Sequence, residues 1–373
     1  MMPDIQTLIP CFIVLPLTVS VLIQLFARRR AVLAGWMACL TMLVLMLTAL
    51  ATVGSATGGE MIYNMGGWAT PIGIDLRMDN LTSLMVVTIN TIGLAVVLYA
   101  VDYMRQFTAR PRFYSLFLLM VTGMNGVVMT GDLFNLYVFL EISAIASYSL
   151  VAFGCEQEEL EASFKYIVLG SVSSALILIA LALMYGVTGA LNMAQVSGRV
   201  AEAGMDAPLV LAFGLFICGF AFKAALVPFH AWLPDAHPAA PAPVSAMLSG
   251  VLIKAIGIYV LARLIFNVFG AQENILSMLC WLGVLSMGVG GLLAVGQQVF
   301  KRMFAYSCIS LVGFIVLGLG LATPLGLVGA LYHLVNHSMF KSLLFLNAGA
   351  VDYCTGTRRL DELGGLNRAC LFY

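Results

Sequence analysis

The chain has 373 residues, of which 61% are hydrophobic and 10% charged, with a mean hydropathy of +1.00 and a formal net charge of zero. A soluble domain of this size carries about a quarter charged residues, so a soluble globular fold is excluded, and the charge balance gives no support to a nucleic-acid partner. Eight cysteines are scattered without a CxxC pair, several of them in apolar blocks, which indicates neither a disulfide framework nor an iron–sulfur site.

The apolar residues fall into blocks of roughly 20, the length a helix needs to cross a hydrocarbon core of about 30 Å. About eleven spans are predicted, over 8–26, 32–53, 80–103, 112–130, 133–154, 164–185, 208–229, 244–269, 275–296, 302–321 and 325–350. The first block does not read as a signal peptide. Asp4 is the only charge before it, and Arg28, Arg29 and Arg30 follow it, so it is a retained span. Between the second and third spans lies the longest outer loop, Gly54 to Asp79. Its Tyr63 and Trp68 suit an interfacial belt, and Gly66-Gly67 with Pro71 predicts a turn or short hairpin.

Lysine and arginine positions set the orientation. One set of loops holds Arg28, Arg29, Arg30, Arg105, Arg110, Arg112, Lys165, Lys301, Arg302, Arg358, Arg359 and Arg368, whereas the opposite loops hold only Arg77 and Arg199. The first set is predicted to face the cytoplasm of a plasma (inner) membrane protein, with the N-terminus outside. Arg263, near the outer end of its helix, is expected to snorkel.

The remaining ionisable groups are harder to place, because a charge in hydrocarbon costs about 2.5–3.5 kcal/mol on insertion scales. Glu141 lies nine residues past Asp132, about 14 Å deep at helical rise. Lys223 stands about fifteen residues into its span, with Pro228 five residues later; a proline there breaks or kinks a helix and exposes carbonyls at depth. Lys254 is about ten residues into the next span. His333, His337 and Lys341 recur at i, i+4 and i+8 and share one face. As a metal pair the two histidines lack a third ligand, and two histidines on one helix do not suit haem. The loop HAWLPDAHPAAPAPVSA, with Pro234, Pro238, Pro241 and Pro243, is expected to run extended at the cytoplasmic surface. There His230, Asp235 and His237 cap helix ends or form an inner proton entrance.

A lysine in a low dielectric releases its proton more readily, and a nearby carboxylate opposes the release. The Glu141–Lys223 distance then sets whether Lys223 holds its proton or passes it toward Lys254 and the histidine stripe, whose imidazoles suit a relay. No Walker motif, GxGxxG or nucleophile elbow competes, so no catalytic site, cofactor or metal is expected.

The segments GDLFNLYVFLEISAIASYSLVAFG, FKAALVPFHAWLPDAHPAAPAPVSAMLSGVLIKAIGIYVLARL, KRMFAYSCISLVGFIVLG and YHLVNHSMFKSLLFLNAGAV resemble the proton-conducting antiporter-like subunits shared by Mrp-type Na⁺/H⁺ antiporters, complex I and membrane-bound hydrogenases. YGVTGALNMAQV and HLVNHSMFKSLLF are similar to the Mrp D-type and hydrogenase-type members. The resemblance implies an all-α transmembrane bundle of two inverted five-helix repeats, each with a broken helix. It makes Glu141 and Lys223 the switching pair, Lys254 a relay residue, and His333, His337 and Lys341 the histidine helix. The implied layout is an N-terminal three-span part over 1–107, a first repeat forming the proton half-channel over 108–270, and a partial second repeat over 271–373. Family members run to about fourteen helices, and the chain stops at Tyr373, where a second broken helix would begin, so the expected architecture is truncated before it. The implied function is proton or Na⁺/H⁺ translocation beside other membrane subunits of a cation antiporter, an NADH:quinone oxidoreductase-like complex or a hydrogenase. The alternative is a non-conducting scaffold of such a complex. Quinone contact has no support in the sequence.

Overall fold

A computed structural model describes residues 5–56 and 59–365; Asp4, Arg368 and Cys370 fall outside this range. Among the described residues thirteen helices follow one another, with one β-hairpin. They are α1 (Cys11–Phe26), α2 (Ala31–Ala56), α3 (Asn80–Tyr103), α4 (Arg110–Met129), α5 (Leu133–Val151), α6 (Gln157–Thr188), α7 (Met193–Ala203), α8 (Ala207–Lys223), α9 (Leu233–Ala239), α10 (Ala242–Phe269), α11 (Glu273–Val295), α12 (Phe300–Leu321) and α13 (Pro324–Thr355). Nine of the described helices, α1–α6 and α10–α12, are long and apolar enough to cross a membrane. The two other expected spans are also helical. Of these, α8 is short at 17 residues, and the 32 residues of α13 include a polar stripe.

Local sequence explains the boundaries. Asp79, Asp132 and Asp206 accept from the backbone N–H of Thr82, Asn135 and Leu209, capping α3, α5 and α8, and Thr323 does the same for α13 through Gly326. The expected outer turn is an antiparallel hairpin, β1 (Met61–Asn64) with β2 (Asp75–Met78), turned through Gly66 and Gly67 at positive φ. Buried Asp75 ties it down: its carboxylate takes Arg77 Nε at 2.7 Å and Asn192 Nδ2 at 2.9 Å. The short helix α7 lies in a stretch that carries no predicted element; Asn192 caps it at Ala194 N.

The centre of the bundle is α10, enclosed by α3, α4, α8, α9 and α13. Much of it is wound in π-helical turns, over Leu248–Leu252, Lys254–Tyr259 and Leu264–Phe269. Two glycines let its neighbours approach closely. A Cβ on Gly257 would sit 2.7 Å from Ala224 Cα, and one on Gly250 would run into Ser342 Oγ. Lys254 lies between these two contacts.

Two expectations are corrected. The span expected over 208–229 stops at Lys223 itself. The Pro228 ring would collide with the carbonyl four residues back, at Ala224, so the helix ends one residue before it. The segment expected to run extended at the surface instead folds as α9 and the start of α10, and its His237 is fully buried. The prolines permit this because Pro234 and Pro243 occupy first-turn positions, where a missing N–H costs nothing. Arg263, near the outer end of its helix, is held by Asp79 at 2.5 Å and by Tyr259 OH at 2.9 Å.

Candidate functional site

The end of α8 and the middle of α5 are brought together across α6. Lys223 Nζ stands 3.9 Å from Glu141 Oε1, with side-chain exposures of 2% and 27%. Between them is Ser174 of α6. Lys223 Nζ donates to Ser174 Oγ at 3.1 Å, and Ser174 Oγ donates in a short hydrogen bond to Glu141 Oε1. The three groups form one chain, ammonium to hydroxyl to carboxylate.

Beyond Lys223 the backbone turns through residues 224–232, with Ala225 at φ +56°, and side chains secure the groups the helix leaves unpaired. Trp232 Nε1 donates to Phe222 O at 3.0 Å, and Val227 N donates to Ser286 Oγ at 3.0 Å. The Trp232 ring stacks on Tyr166 with centroids 4.1 Å apart. These contacts fix the helix end that carries the ammonium.

Lys254 is fully buried within its π-helical stretch, and its ammonium donates to Ser249 O. Gly257 touches the residue after Lys223, and Gly250 touches the residue after Lys341, so α10 orders the three lysines as Lys223, Lys254, Lys341. On α13 the His333 and His337 rings lie 5.7 Å apart. Lys341 donates to Phe304 O at 3.1 Å and, in a short bond, to Ser307 Oγ of α12. The structure thus places all six expected residues on α5, α8, α10 and α13 around the bundle centre. His333 is the most peripheral of the α13 stripe, half-buried against Phe314.

Sequence reasoning missed several of the groups that lie beside these residues. Ser174 and Ser307 carry no signal distinguishing them from other serines in apolar helices. Lys301, assigned from the sequence to the basic loops, is fully buried in the first turn of α12 and donates to Ala240 O at 3.1 Å. His237 stacks on Phe345 with centroids 4.5 Å apart. Burial holds its imidazole well below the usual range, and the charges of Lys341, Lys254 and Lys301 act in the same direction. Neither ring nitrogen of His237 or His337 has a protein partner among the described residues, a situation ordered water ordinarily relieves. Asp235 neither caps a helix nor reaches inward. It pairs with Lys165 at 3.1 Å and Arg302 at 3.4 Å, joining the starts of α6 and α12 beside a cavity of about 350 Å³.

At the opposite end a cavity of about 470 Å³ opens beside Arg77, Asp79, Tyr259 and Arg263. Burial tends to raise the Asp79 carboxyl, but Arg263 and the Thr82 bonds outweigh it and hold the group below the usual carboxylate range. Among the described residues no three His, Cys, Asp or Glu side chains gather to hold a metal ion.

Comparison with known proteins bears on the family and the fold. A family profile described as "NADH:quinone oxidoreductase/Mrp antiporter, TM" matches residues 130–370, and one for the N-terminus of complex I chain 5 matches residues 66–114. The N-type subunit of the NADH-quinone oxidoreductase of Desulforudis audaxviator is 37% identical over 372 residues, covering 98% of this chain and 73% of that protein. The D-type subunit of the Na⁺/H⁺ antiporter of Alkalihalophilus pseudofirmus is 34% identical over 358 residues, 95% of this chain and 72% of its own. Among solved structures, a chain of the Mrp complex from Dietzia sp. superposes with a TM-score of 0.90 at 32% identity, covering 97% of this chain and 68% of that one. A chain of the membrane-bound sulfane sulfur reductase, an archaeal respiratory membrane complex, gives 0.87 at 32% identity, with 95% and 73% covered. The chain is a multi-pass membrane protein and belongs to the antiporter-like membrane subunits of the NADH:quinone oxidoreductase/Mrp antiporter family.

Proposed function

We propose that this chain moves protons, or exchanges Na⁺ for protons, through Glu141, Lys223, Lys254, His337 and Lys341, with His333 at the periphery of the row and residues 108–270 forming the half-channel. The observation that carries the reading is the Lys223–Ser174–Glu141 chain at the end of α8, beside a central helix that sets Lys254 between Lys223 and Lys341. An ammonium linked to its carboxylate through a hydroxyl has two states. With the chain closed, Glu141 stabilises the charge; with it open, the proton is better held further along α10. Buried ionisable groups in a membrane are costly, and a row of them facing the bundle interior is the arrangement a proton pathway requires.

The reading also places the chain among other membrane subunits of a multi-subunit complex in a plasma membrane, with its arginine-rich end in the cytoplasm. The test is Lys223→Ala, assembled with its partner subunits in everted membrane vesicles. Proton flux, or Na⁺-dependent proton release, is expected to be abolished while assembly stays normal. Unchanged flux would overturn the reading and favour a scaffold that conducts nothing.

A further inference from the structure

At the arginine-rich end, away from the row of lysines, a cavity of about 330 Å³ opens between α2, α3 and α4. One side of it is apolar: Val32, Gly35, Trp36, Leu98 and Val101. Gly35 keeps this side recessed, because Tyr114 OH stands 3.2 Å from where its Cβ would be. Trp36, Val32 and Leu98 are exposed on the outside of the bundle, where lipid chains pack. The mouth is cationic. Arg105 and Arg110 line it, and Arg28, Arg29 and Arg30 immediately precede its residues Ala31 and Val32.

Among the described residues Asp102 is the one carboxylate lining this cavity, and it pairs with Arg105 at 2.8 Å, leaving the arginines in excess. The buried Nε of Arg110 has no hydrogen-bond partner among the described residues. Arg110 lines the cavity all the same, and its charge adds to that of Arg105 there.

An apolar groove open to lipid and ending under arginines matches both halves of one amphiphile. We propose that this cavity binds an anionic phospholipid of the adjacent leaflet, with the phosphate on Arg110 and Arg105 and an acyl chain along Trp36, Leu98 and Val101. A zwitterionic lipid satisfies the groove but leaves the excess of arginine charge uncompensated. A free anion satisfies the arginines but not the groove. Basic pockets between membrane helices favour anionic headgroups on this electrostatic ground. A cavity of this size falls at the lower end of the range for ligand sites, enough for a headgroup and part of one chain.

The test places the chain, assembled with its partner subunits, in vesicles doped with lipids brominated on the acyl chains. Trp36 fluorescence is isolated as the difference from Trp36→Phe. Brominated phosphatidylglycerol is expected to quench Trp36 at a mole fraction roughly tenfold lower than brominated phosphatidylcholine. The double variant Arg105→Gln/Arg110→Gln should remove that preference. Val101→Phe, which fills the groove from an exposed position without touching charge, should weaken quenching by both lipids and decides the matter if the double variant fails to assemble. Inorganic phosphate should not compete. Equal quenching by the two lipids, a preference that survives both variants, or displacement by inorganic phosphate would each overturn the proposal.

Discussion

At the scale of single residues, the hydroxyl of Ser174 is the smallest group on which the pair's geometry depends. At 3.9 Å the Lys223–Glu141 contact is too long for a direct hydrogen bond, so their coupling runs through Ser174. Hydrogen bonds to charged groups are worth about 1.5–3 kcal/mol, and their loss in a buried chain leaves both ends unsatisfied. Ser174→Ala is therefore expected to lower proton flux in everted vesicles roughly tenfold or more, while Ser174→Thr, which keeps the hydroxyl, retains most of it. Equal flux in both variants would show that the hydroxyl couples nothing. Glu141→Gln probes the other end. It keeps a hydrogen-bond acceptor for Ser174 but removes the charge, and flux should fall at least as far as in Ser174→Ala.

The same residues show what could be read in advance. Glu141, Lys223 and Lys254 stood out because an ionisable group in an apolar run is costly enough to demand a reason. Ser174 did not, because serine in a membrane helix usually bonds its own backbone, as Ser147 and Ser149 do here. Nor did Lys301, whose position at the edge of a predicted span read as a loop; burial at a helix start is decided by what packs over it, here Ala240 from a segment expected at the surface.

Among the elements, hydropathy located the helices well, because lipid-crossing length is a property of local sequence. It could not show how closely they pack. The pair α11 and α12 makes the most extensive contact in the bundle, and glycine makes it possible: a Cβ on Gly283 would stand 2.8 Å from Gly313 O, and one on Gly313 2.6 Å from Gly283 O. Membrane helices have little hydrophobic drive toward each other, so such small-residue contacts carry much of the association. Gly283→Leu should force the helices apart at a cost of about 1–3 kcal/mol, read as a lower midpoint of thermal aggregation in detergent. Gly288→Leu, five residues along the same helix and facing open space, is the matched control and should leave the midpoint unchanged. A shift of the same size in both would mean that α11 is sensitive to bulk anywhere. The central helix is expected over 244–269, but its winding is not legible in the sequence, for a related reason. Its π-helical stretch Lys254–Tyr259 carries Gly257, whose close approach to Ala224 at the end of α8 is a contact that no periodicity within α10 reports.

For the molecule as a whole, the distribution of charge makes a claim that can be checked from outside the membrane. The starts of α6 and α12 meet at Asp235, and Arg358, after α13, reaches Pro238 O at 3.2 Å, so Lys165, Arg302 and Arg358 share one end of the bundle. Cys155, just after α5, and Cys354, in the last turn of α13, are exposed at that same end. The excess of arginine and lysine predicts that this end is cytoplasmic. In a background with the other cysteines replaced, a membrane-impermeant maleimide should therefore label Cys155 and Cys354 in everted vesicles and not in intact cells. Labelling of both from the outside would invert the orientation. The arginine-lined cavity beside α2 would then lie in the outer leaflet, and the cavity beside Asp235 would open to the external medium. Labelling of one residue from each side would contradict the fold itself, since α5 and α13 must end at the same surface for Asp235 and Arg358 to make the contacts they do.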